Sequence, residues 1–144
     1  MANVIFNGFK QYSNDGSINL ELDTIKCALF DDTFVPDKDT MDNWDDISAS
    51  EISGTGYNAG GEEVINKVIS HDDVSDKGIF DADDVNFPGV TLTDVRWAVL
   101  YKVGVTTAAK LLGAWDFGAN QNPVAVDLLV KWNAGGILTW TQGT

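Results

Sequence analysis

The sequence predicts an all-β protein, a single-domain antiparallel β-sandwich of the immunoglobulin-like or jelly-roll kind with at most one or two short helices. Alternating side chains predict pleated strands in two segments, residues 24–30 (TIKCALF) and 94–102 (DVRWAVLYK). Turn sequences such as NDG, FPG and NAGG separate several further short runs. The 144 residues contain no repeat or linker, so we expect one domain over residues 1–144, with the strand order left open.

The remaining elements follow from shorter patterns along the chain. Further strands are expected at residues 3–9 (NVIFNGF), 17–22 (SINLEL), 77–80 (KGIF), 111–117 (LLGAWDF), 123–132 (PVAVDLLVKW) and 136–140 (GILTW). Helical signals are limited to residues 40–52, which could hold one turn behind Thr40 or Asp42, and to residues 62–69. The second segment has apolar residues at helical spacing but is equally compatible with a strand.

The charge balance limits the classes of partner. Acidic residues number 22 against 9 Lys and Arg, so the formal net charge is −13. A surface of this sign repels phosphate backbones, and no cluster of basic residues is present, so we expect no nucleic-acid partner. We also expect no membrane partner, because no apolar run approaches the roughly 20 residues of a membrane-spanning helix. The amino-terminal sequence lacks the early positive charge of a secretory signal, so we expect the product to stay where it is made.

A glycine-rich segment, residues 51–64 (EISGTGYNAGGEEV), raises the possibility of a phosphate-binding loop. Its spacing does not match the dinucleotide fingerprint, no strong strand precedes it, and two glutamates follow it where phosphate would be repelled. We therefore predict a structural loop in which glycine permits tight or left-handed turns, with Tyr57 as an anchor that has one polar end. The structural glycines are Gly54, Gly56, Gly60 and Gly61.

Other chemistry-bearing residues predict no catalytic, cofactor or metal site. The acidic segments 31–39 and 80–87 do not match a calcium-binding loop, since the segment from Asp81 lacks the required glycine and final glutamate. His71 is the only histidine, and no nucleophile motif accompanies it. Cys27 is also single and lies among apolar neighbours, which favours a buried, inert thiol. We therefore expect no enzymatic activity and no cofactor.

Aromatic and arginine side chains are the better candidates for interactions. Among five tryptophans, Trp44 lies in the polar sequence DNWDD and is predicted to be the most exposed, which would suit a sugar ring. Trp97 is predicted to be core, and packing is expected for Trp115 and Trp132. Arg96 is the only arginine, and its planar guanidinium could clamp a carboxylate across strands or at a subunit contact; an exposed, solvated Arg96 is the simpler alternative.

Taken in order, several motifs resemble a family of small structural proteins encoded by tailed bacteriophages. The series runs TIKCALF, WDDIS, EISGTGYNAGG, FDADDVNF, RWAVLY, WDFG and GGILTW. The strongest markers are Glu51 with the four glycines and Tyr57, residues 80–87, and Arg96 with Tyr101. The resemblance covers about residues 7–140 and supports one domain.

This resemblance implies a non-enzymatic virion component, without catalytic residues. The acidic, strand-rich character best suits a capsid decoration or cement protein on the outer capsid surface of the virion, made in the host bacterial cytoplasm. Its implied partner is the major capsid protein of the phage head, with self-association, hypothetically as a trimer. A neck, tail or fibre subunit and a carbohydrate-binding adhesion module remain alternatives. The expected contacts are long loops carrying glycine or aspartate and an amino-terminal segment, residues 1–12, with Val4, Ile5, Phe6 and Phe9.

Overall fold

The computed structural model describes residues 3–104 and 109–141. One α-helix, α1, spans Asn7–Asn14. Two 3₁₀ turns cover Trp44–Asp46 and Ser48–Ser50. The strands are β1 Asn3–Ile5, β2 Ile25–Asp31, β3 Glu62–Glu63, β4 Val68–Asp72, β5 Lys77–Asp81, β6 Val85–Val90, β7 Val95–Lys102, β8 Lys110–Gln121, β9 Val126–Val130 and β10 Leu138–Thr141.

These strands form antiparallel sheets that pack together. The largest sheet has the order β1-β8-β7-β2-β3, a second has the order β10-β5-β4, and β6 pairs with β9. The predicted all-β, sandwich-like class is therefore confirmed. The two segments with the clearest alternation, which became β2 and β7, are direct neighbours at the centre of the large sheet.

The central strands are covered on both faces, which explains their nearly continuous apolar sequence. Along β2, Ile25, Cys27 and Leu29 belong to the larger buried cluster. Ala28 and Phe30 point the opposite way and belong to a second buried cluster. Because successive strand side chains point to opposite faces, one strand contributes to both clusters.

The amino-terminal region differs from the prediction. The strand expected at residues 3–9 ends at Ile5, and α1 follows, with Phe6 as its extended N-cap residue. Phe9 and Tyr12 lie one turn apart on this helix, with Phe9 in the larger core cluster and Tyr12 packed against it. Helical spacing therefore puts the apolar side chains of this polar segment on one face, and the prediction of a continuous strand was wrong.

The strand expected at residues 17–22 is also wrong, because local side-chain hydrogen bonds form a turn there. The Asn19 side-chain oxygen accepts the N–H groups of Glu21 and Leu22 at 3.2 and 3.1 Å. The Asp23 carboxylate accepts the Asn19 N–H at 2.7 Å. Asn and Asp side chains can in this way satisfy the backbone in place of a strand ladder.

Two further segments were assigned incompletely. Residues 62–69 are not helical: they contain β3 and the start of β4, separated by Asn66 at a φ of 53°. Strand β6 was not predicted, because its FPG sequence reads as a turn. In the structure Pro88 and Gly89 form an irregularity within the β6–β9 pairing, between Phe87 and Val90. Proline is compatible with a strand at such a bulge.

Candidate interaction surfaces

The part of the glycine-rich segment that precedes β3, residues 51–61, completes the edge of β2. Strand β3 pairs with only the first part of β2. Beyond it, the Ile52 N–H donates to the Leu29 carbonyl at 3.0 Å, and the Leu29 N–H donates to the Tyr57 hydroxyl at 3.0 Å. The loop therefore supplies the hydrogen bonds that a longer neighbouring strand would supply.

One polar network holds this loop in place. The Glu51 carboxylate accepts the Tyr57 hydroxyl at 2.7 Å and the Gly60 N–H at 2.6 Å. The Tyr101 hydroxyl donates to the Gly60 carbonyl at 2.6 Å, across 41 residues of sequence. Glu51, Tyr57, Gly60 and Tyr101 thus belong to the same scaffold network.

The environment of this network keeps both phenols neutral. Burial raises the pKa of Tyr57, and its hydrogen bond to the Glu51 carboxylate raises it further. Burial and the negative charge of Glu51 likewise raise the pKa of Tyr101 to about 12. Removal of a proton from either hydroxyl would leave a buried anion beside a carboxylate.

Close backbone approach explains why glycine occupies the loop. Gly61 has a φ of +77°, and a Cβ there would overlap the carbonyl oxygen of Cys27 in β2. At Gly54 a Cβ would meet the Thr91 carbonyl oxygen at 2.5 Å. Gly56 and Gly60 also have positive φ. The loop shape therefore depends on residues that lack a Cβ.

Arg96 forms the cross-strand clamp considered above. Its Nε donates to Asp116 Oδ1, and its Nη2 donates to Oδ2 at 3.1 Å, joining β7 to β8. The Gly118 N–H also donates to the same carboxylate at 2.7 Å. The hydrogen bond from Arg96 is the main reason why the pKa of Asp116 lies below its ordinary value, and the hydrogen bond from Gly118 lowers this pKa further. The Arg96 side chain is 32% exposed, whereas that of Asp116 is 14% exposed.

The amino-terminal candidates divide into inward-facing and partly exposed residues. Phe6 and Phe9 are 0% and 3% exposed. For these two side chains the expected partner contact is wrong, because they fill the protein's own core. Val4 and Ile5 are half-buried in β1, and Ile5 packs against the larger core cluster. Residues 1 and 2 lie outside the described residues.

The tryptophans differ from the prediction in which one is exposed. Trp44 is half-buried, with its ring stacked on Tyr101 at a centroid distance of 4.1 Å. Trp97 is half-buried against the second core cluster, whereas Trp115 and Trp132 are buried and meet edge to face. Trp140, on β10, is 40% exposed. The prediction that Trp44 is the most exposed candidate was therefore wrong.

The acidic segments are used partly for internal hydrogen bonds. The Asp84 carboxylate accepts the Trp132 N–H at 2.9 Å, and Asp83 accepts the Asn66 side-chain amide at 2.6 Å. In the loop of residues 31–40, the Asp31 carboxylate accepts the Thr33 N–H at 3.0 Å. Over residues 3–104 and 109–141, no group of three or more His, Cys, Asp or Glu side chains is placed to hold a metal ion.

An exposed hairpin, formed by β4 and β5, was not identified from sequence. Val68 and Ile69 in β4 are 51% and 45% exposed, and Val74 in the connecting turn is 95% exposed. The available signal was a short apolar pair followed closely by polar and acidic residues, SHDD. Such a pattern does not reveal that both faces of the strand are open, because that depends on where the other sheets end.

A scan against models of known protein families, a search of curated proteins and a search of solved structures each found no match to this chain. In the part of the chain that the structure describes, no helix has the length and apolarity needed to cross a bilayer.

Proposed function

We propose that this chain is a non-enzymatic structural subunit of a tailed-bacteriophage virion, a capsid decoration or cement protein that stabilises the assembled head. Its partner is the major capsid protein, and several copies act together on the outer capsid surface. The sequence resemblance to small phage structural proteins suggests this role.

The main support for the proposal is that the residues on which the resemblance depends form a network of hydrogen bonds within the protein. Glu51, Tyr57, Gly60 and Tyr101 hydrogen-bond to one another, and Arg96 clamps its neighbouring strand. The residues that distinguish the sequence thus serve to hold loops and strands in shape. This supports a role in which a rigid, preformed surface is the functional product.

The acidic loop of residues 31–40 is the contact surface that we propose for the capsid. It carries four aspartates and the exposed Val35, which is 75% accessible. Its shape is set in advance, since the Asn7 N–H donates to the Lys38 carbonyl at 3.0 Å and the Asn7 amide donates to Asp39 at 2.7 Å. Basic side chains on the capsid would complement this loop, with Val35 as the apolar contact.

Stabilisation of the shell follows from linkage. A protein that binds the assembled lattice better than free capsid subunits shifts the equilibrium towards the lattice. Many copies, each contributing a small free energy, then stabilise one particle. Because the contact is electrostatic in part, we expect capsid binding to weaken as salt is raised.

Binding to purified capsids tests the proposal. Capsids of the encoding phage, stripped of this chain, are incubated with the purified protein, sedimented, and heated to compare their disruption temperature with that of untreated capsids. We expect co-sedimentation, a higher disruption temperature, and cryo-EM density over junctions between capsid subunits. Absence of binding to the head, or density on the neck, tail or fibre, would reject the cement role.

A matched pair of variants tests the contact loop. Val35→Ser removes the exposed apolar side chain of the 31–40 loop, and Val124→Ser removes one that is similarly exposed, 71%, elsewhere on the surface. We expect the first variant to weaken capsid binding by about ten-fold, since burial of one valine side chain contributes about 1.5 kcal/mol and about 1.4 kcal/mol corresponds to a factor of ten. Equal behaviour of the two variants would place the contact on another surface.

A carbohydrate-binding role is the second candidate, and Trp140 favours it. This side chain is 40% exposed on β10 and lies beside Gly78, where no side chain covers it from the neighbouring strand. An open aromatic face suits the apolar face of a sugar ring. A glycan array tests this role: a signal lost in Trp140→Ala would favour adhesion over cement, and no signal would exclude it for the glycans tested.

A further inference from the structure

The exposed edge of the β10-β5-β4 sheet is the feature that carries the inference. Strand β4 pairs with β5 over Val68–Asp72, at one end of the sheet order. Among the residues that the structure describes, no other strand pairs with β4. Its outer edge therefore presents backbone N–H and C=O groups to solvent.

This edge is more open to pairing than the other sheet edges. Strand β1 has three residues, β3 has two and β10 has four, and the β6–β9 pairing contains a register shift. Strand β4 has five residues in continuous register with β5, with neither proline nor bulge. Short strands, prolines and bulges commonly protect a free edge from pairing. Strand β4 is moderately short, but it contains neither of the other two features.

The side chains of β4 are exposed on both faces. Val68, Ser70, Ile69 and His71 are all exposed, although Ile69 is in register with the buried Phe80. In this sheet β5 contributes Phe80 to the core, whereas β4 lies outside the core. Two apolar β-branched side chains in solvent on a regular edge strand favour addition of another strand.

The charges that flank β4 indicate which strand would pair with its free edge: a second copy of the same segment. The sequence from residue 67 to residue 73 reads KVISHDD, with Lys67 before the strand and Asp73 after it. If two copies of this segment run antiparallel about a two-fold axis at Ser70, each Lys67 lies opposite Asp73 of the other copy. Ile69 then lies opposite His71, and the exposed turn residue Val74 reaches the 65–67 segment of the second copy.

We propose that this protein pairs with a second copy of itself through β4, joining two three-stranded sheets into one six-stranded antiparallel sheet. The two Lys67–Asp73 contacts make the segment complementary to itself in this register. A slip by one residue would move Lys67 opposite Asp72 and would place residues that point to opposite faces of the sheet opposite one another, which symmetric antiparallel pairing does not allow. The Lys67–Asp73 contacts act over a few ångströms, whereas salt screens the repulsion between more distant charges. The contacts therefore favour pairing even though each copy has a net charge of −13.

On a capsid, such an isologous contact would link neighbouring copies across two-fold positions. It forms dimers, so it is distinct from any trimeric contact. This dimer does not require the capsid, so it can be measured on the isolated protein.

Disulfide trapping tests the register directly. Ser70→Cys places a thiol on the proposed axis, where two opposing Cβ atoms would be about 5 Å apart, close enough for a disulfide after a small adjustment. Ser50→Cys is the matched control, exposed and outside the hairpin, and the native Cys27 is fully buried. Under mild oxidation we expect covalent dimer from Ser70→Cys at least about ten times faster than from the control. Equal rates would overturn the proposal.

Charge exchange tests the partner. By sedimentation equilibrium at about 0.15 M salt, we expect the wild-type protein to dimerise, and Lys67→Glu to weaken dimerisation about ten-fold or more by opposing two acidic residues at both ends of the strand pair. The double variant Lys67→Glu with Asp73→Lys restores opposite charges and should recover the wild-type affinity. A protein that stays monomeric to millimolar concentration, or a double variant no better than Lys67→Glu, would overturn the proposal. Neither result bears on capsid binding, which is measured separately.

Discussion

Removal of the Tyr57 hydroxyl is the sharpest test of the loop scaffold. In Tyr57→Phe the ring can still stack on Phe87, at a centroid distance of 5.8 Å. The Leu29 N–H, on a residue that is 0% exposed, loses its acceptor, and the Glu51 carboxylate loses a donor at 2.7 Å. The substitution thus changes hydrogen bonding with almost no change in apolar packing.

The size of the effect follows from these two losses. A buried donor left without a partner costs about 1–3 kcal/mol, and a hydrogen bond to a charged group contributes about 1.5–3 kcal/mol. Some of each cost is recovered by local relaxation or by water. We therefore expect the free energy of unfolding to fall by about 2–4 kcal/mol.

Urea unfolding, followed by tryptophan fluorescence and circular dichroism, measures this change. Tyr12→Phe is the control, because Tyr12 is a half-buried tyrosine whose pKa is raised by burial and by nearby acidic charges, with no hydrogen bond of its hydroxyl among the causes. We expect the control to change stability by less than about 0.5 kcal/mol. A Tyr57→Phe protein within that same margin would refute the assignment of Tyr57 as a structural anchor.

Two further predictions concern the same scaffold. Gly61→Ala should destabilise the protein by at least about 2 kcal/mol more than Gly16→Ala does, since both glycines have positive φ but only a Cβ at Gly61 meets the Cys27 carbonyl; equal midpoints in thermal unfolding would contradict the close approach. In alkali, the raised pKa of Tyr101, about 12, means that the unfolded chain ionises first. The contribution of Tyr101 to the free energy of unfolding is complete below the ordinary pKa of about 10 and should fall as pH rises towards 12. Urea unfolding between pH 10 and 11 measures this fall. In Tyr101→Phe the decrease in the free energy of unfolding per pH unit should be smaller by up to about 1.4 kcal/mol.

The central strands were predictable because their signal is local. Alternating apolar residues identified β2 and β7, although a bulge between Val95 and Trp97 displaces the alternation at the start of β7. Val95 consequently belongs to the larger core cluster and Trp97 packs against the second one. The two-residue period is a property of the chain itself, whereas the bulge depends on pairing with β8.

The missed elements had competing local signals. The apolar residues before Asn7 form β1, but the chain then turns into a helix that packs on β8 and places Phe9 and Tyr12 against the core. Strand β6 contains Pro88, which predicts a turn until a bulge is allowed. In both segments a tertiary contact outweighed the local preference.

For the candidate surfaces, the sequence identified residues and the folded structure assigned their roles. Residue type alone indicated that glycine would shape the 51–61 loop and that Arg96 could hold a carboxylate, because those abilities belong to the side chains. Distance in sequence hid the partners: Arg96 reaches Asp116 across 20 residues, and Tyr101 reaches Gly60 across 41. Exposure was equally hidden, since Phe6 lies in the core and Trp140 in solvent only because of where the sheets meet. Composition and periodicity act over a few residues, but burial and pairing are set by the whole fold.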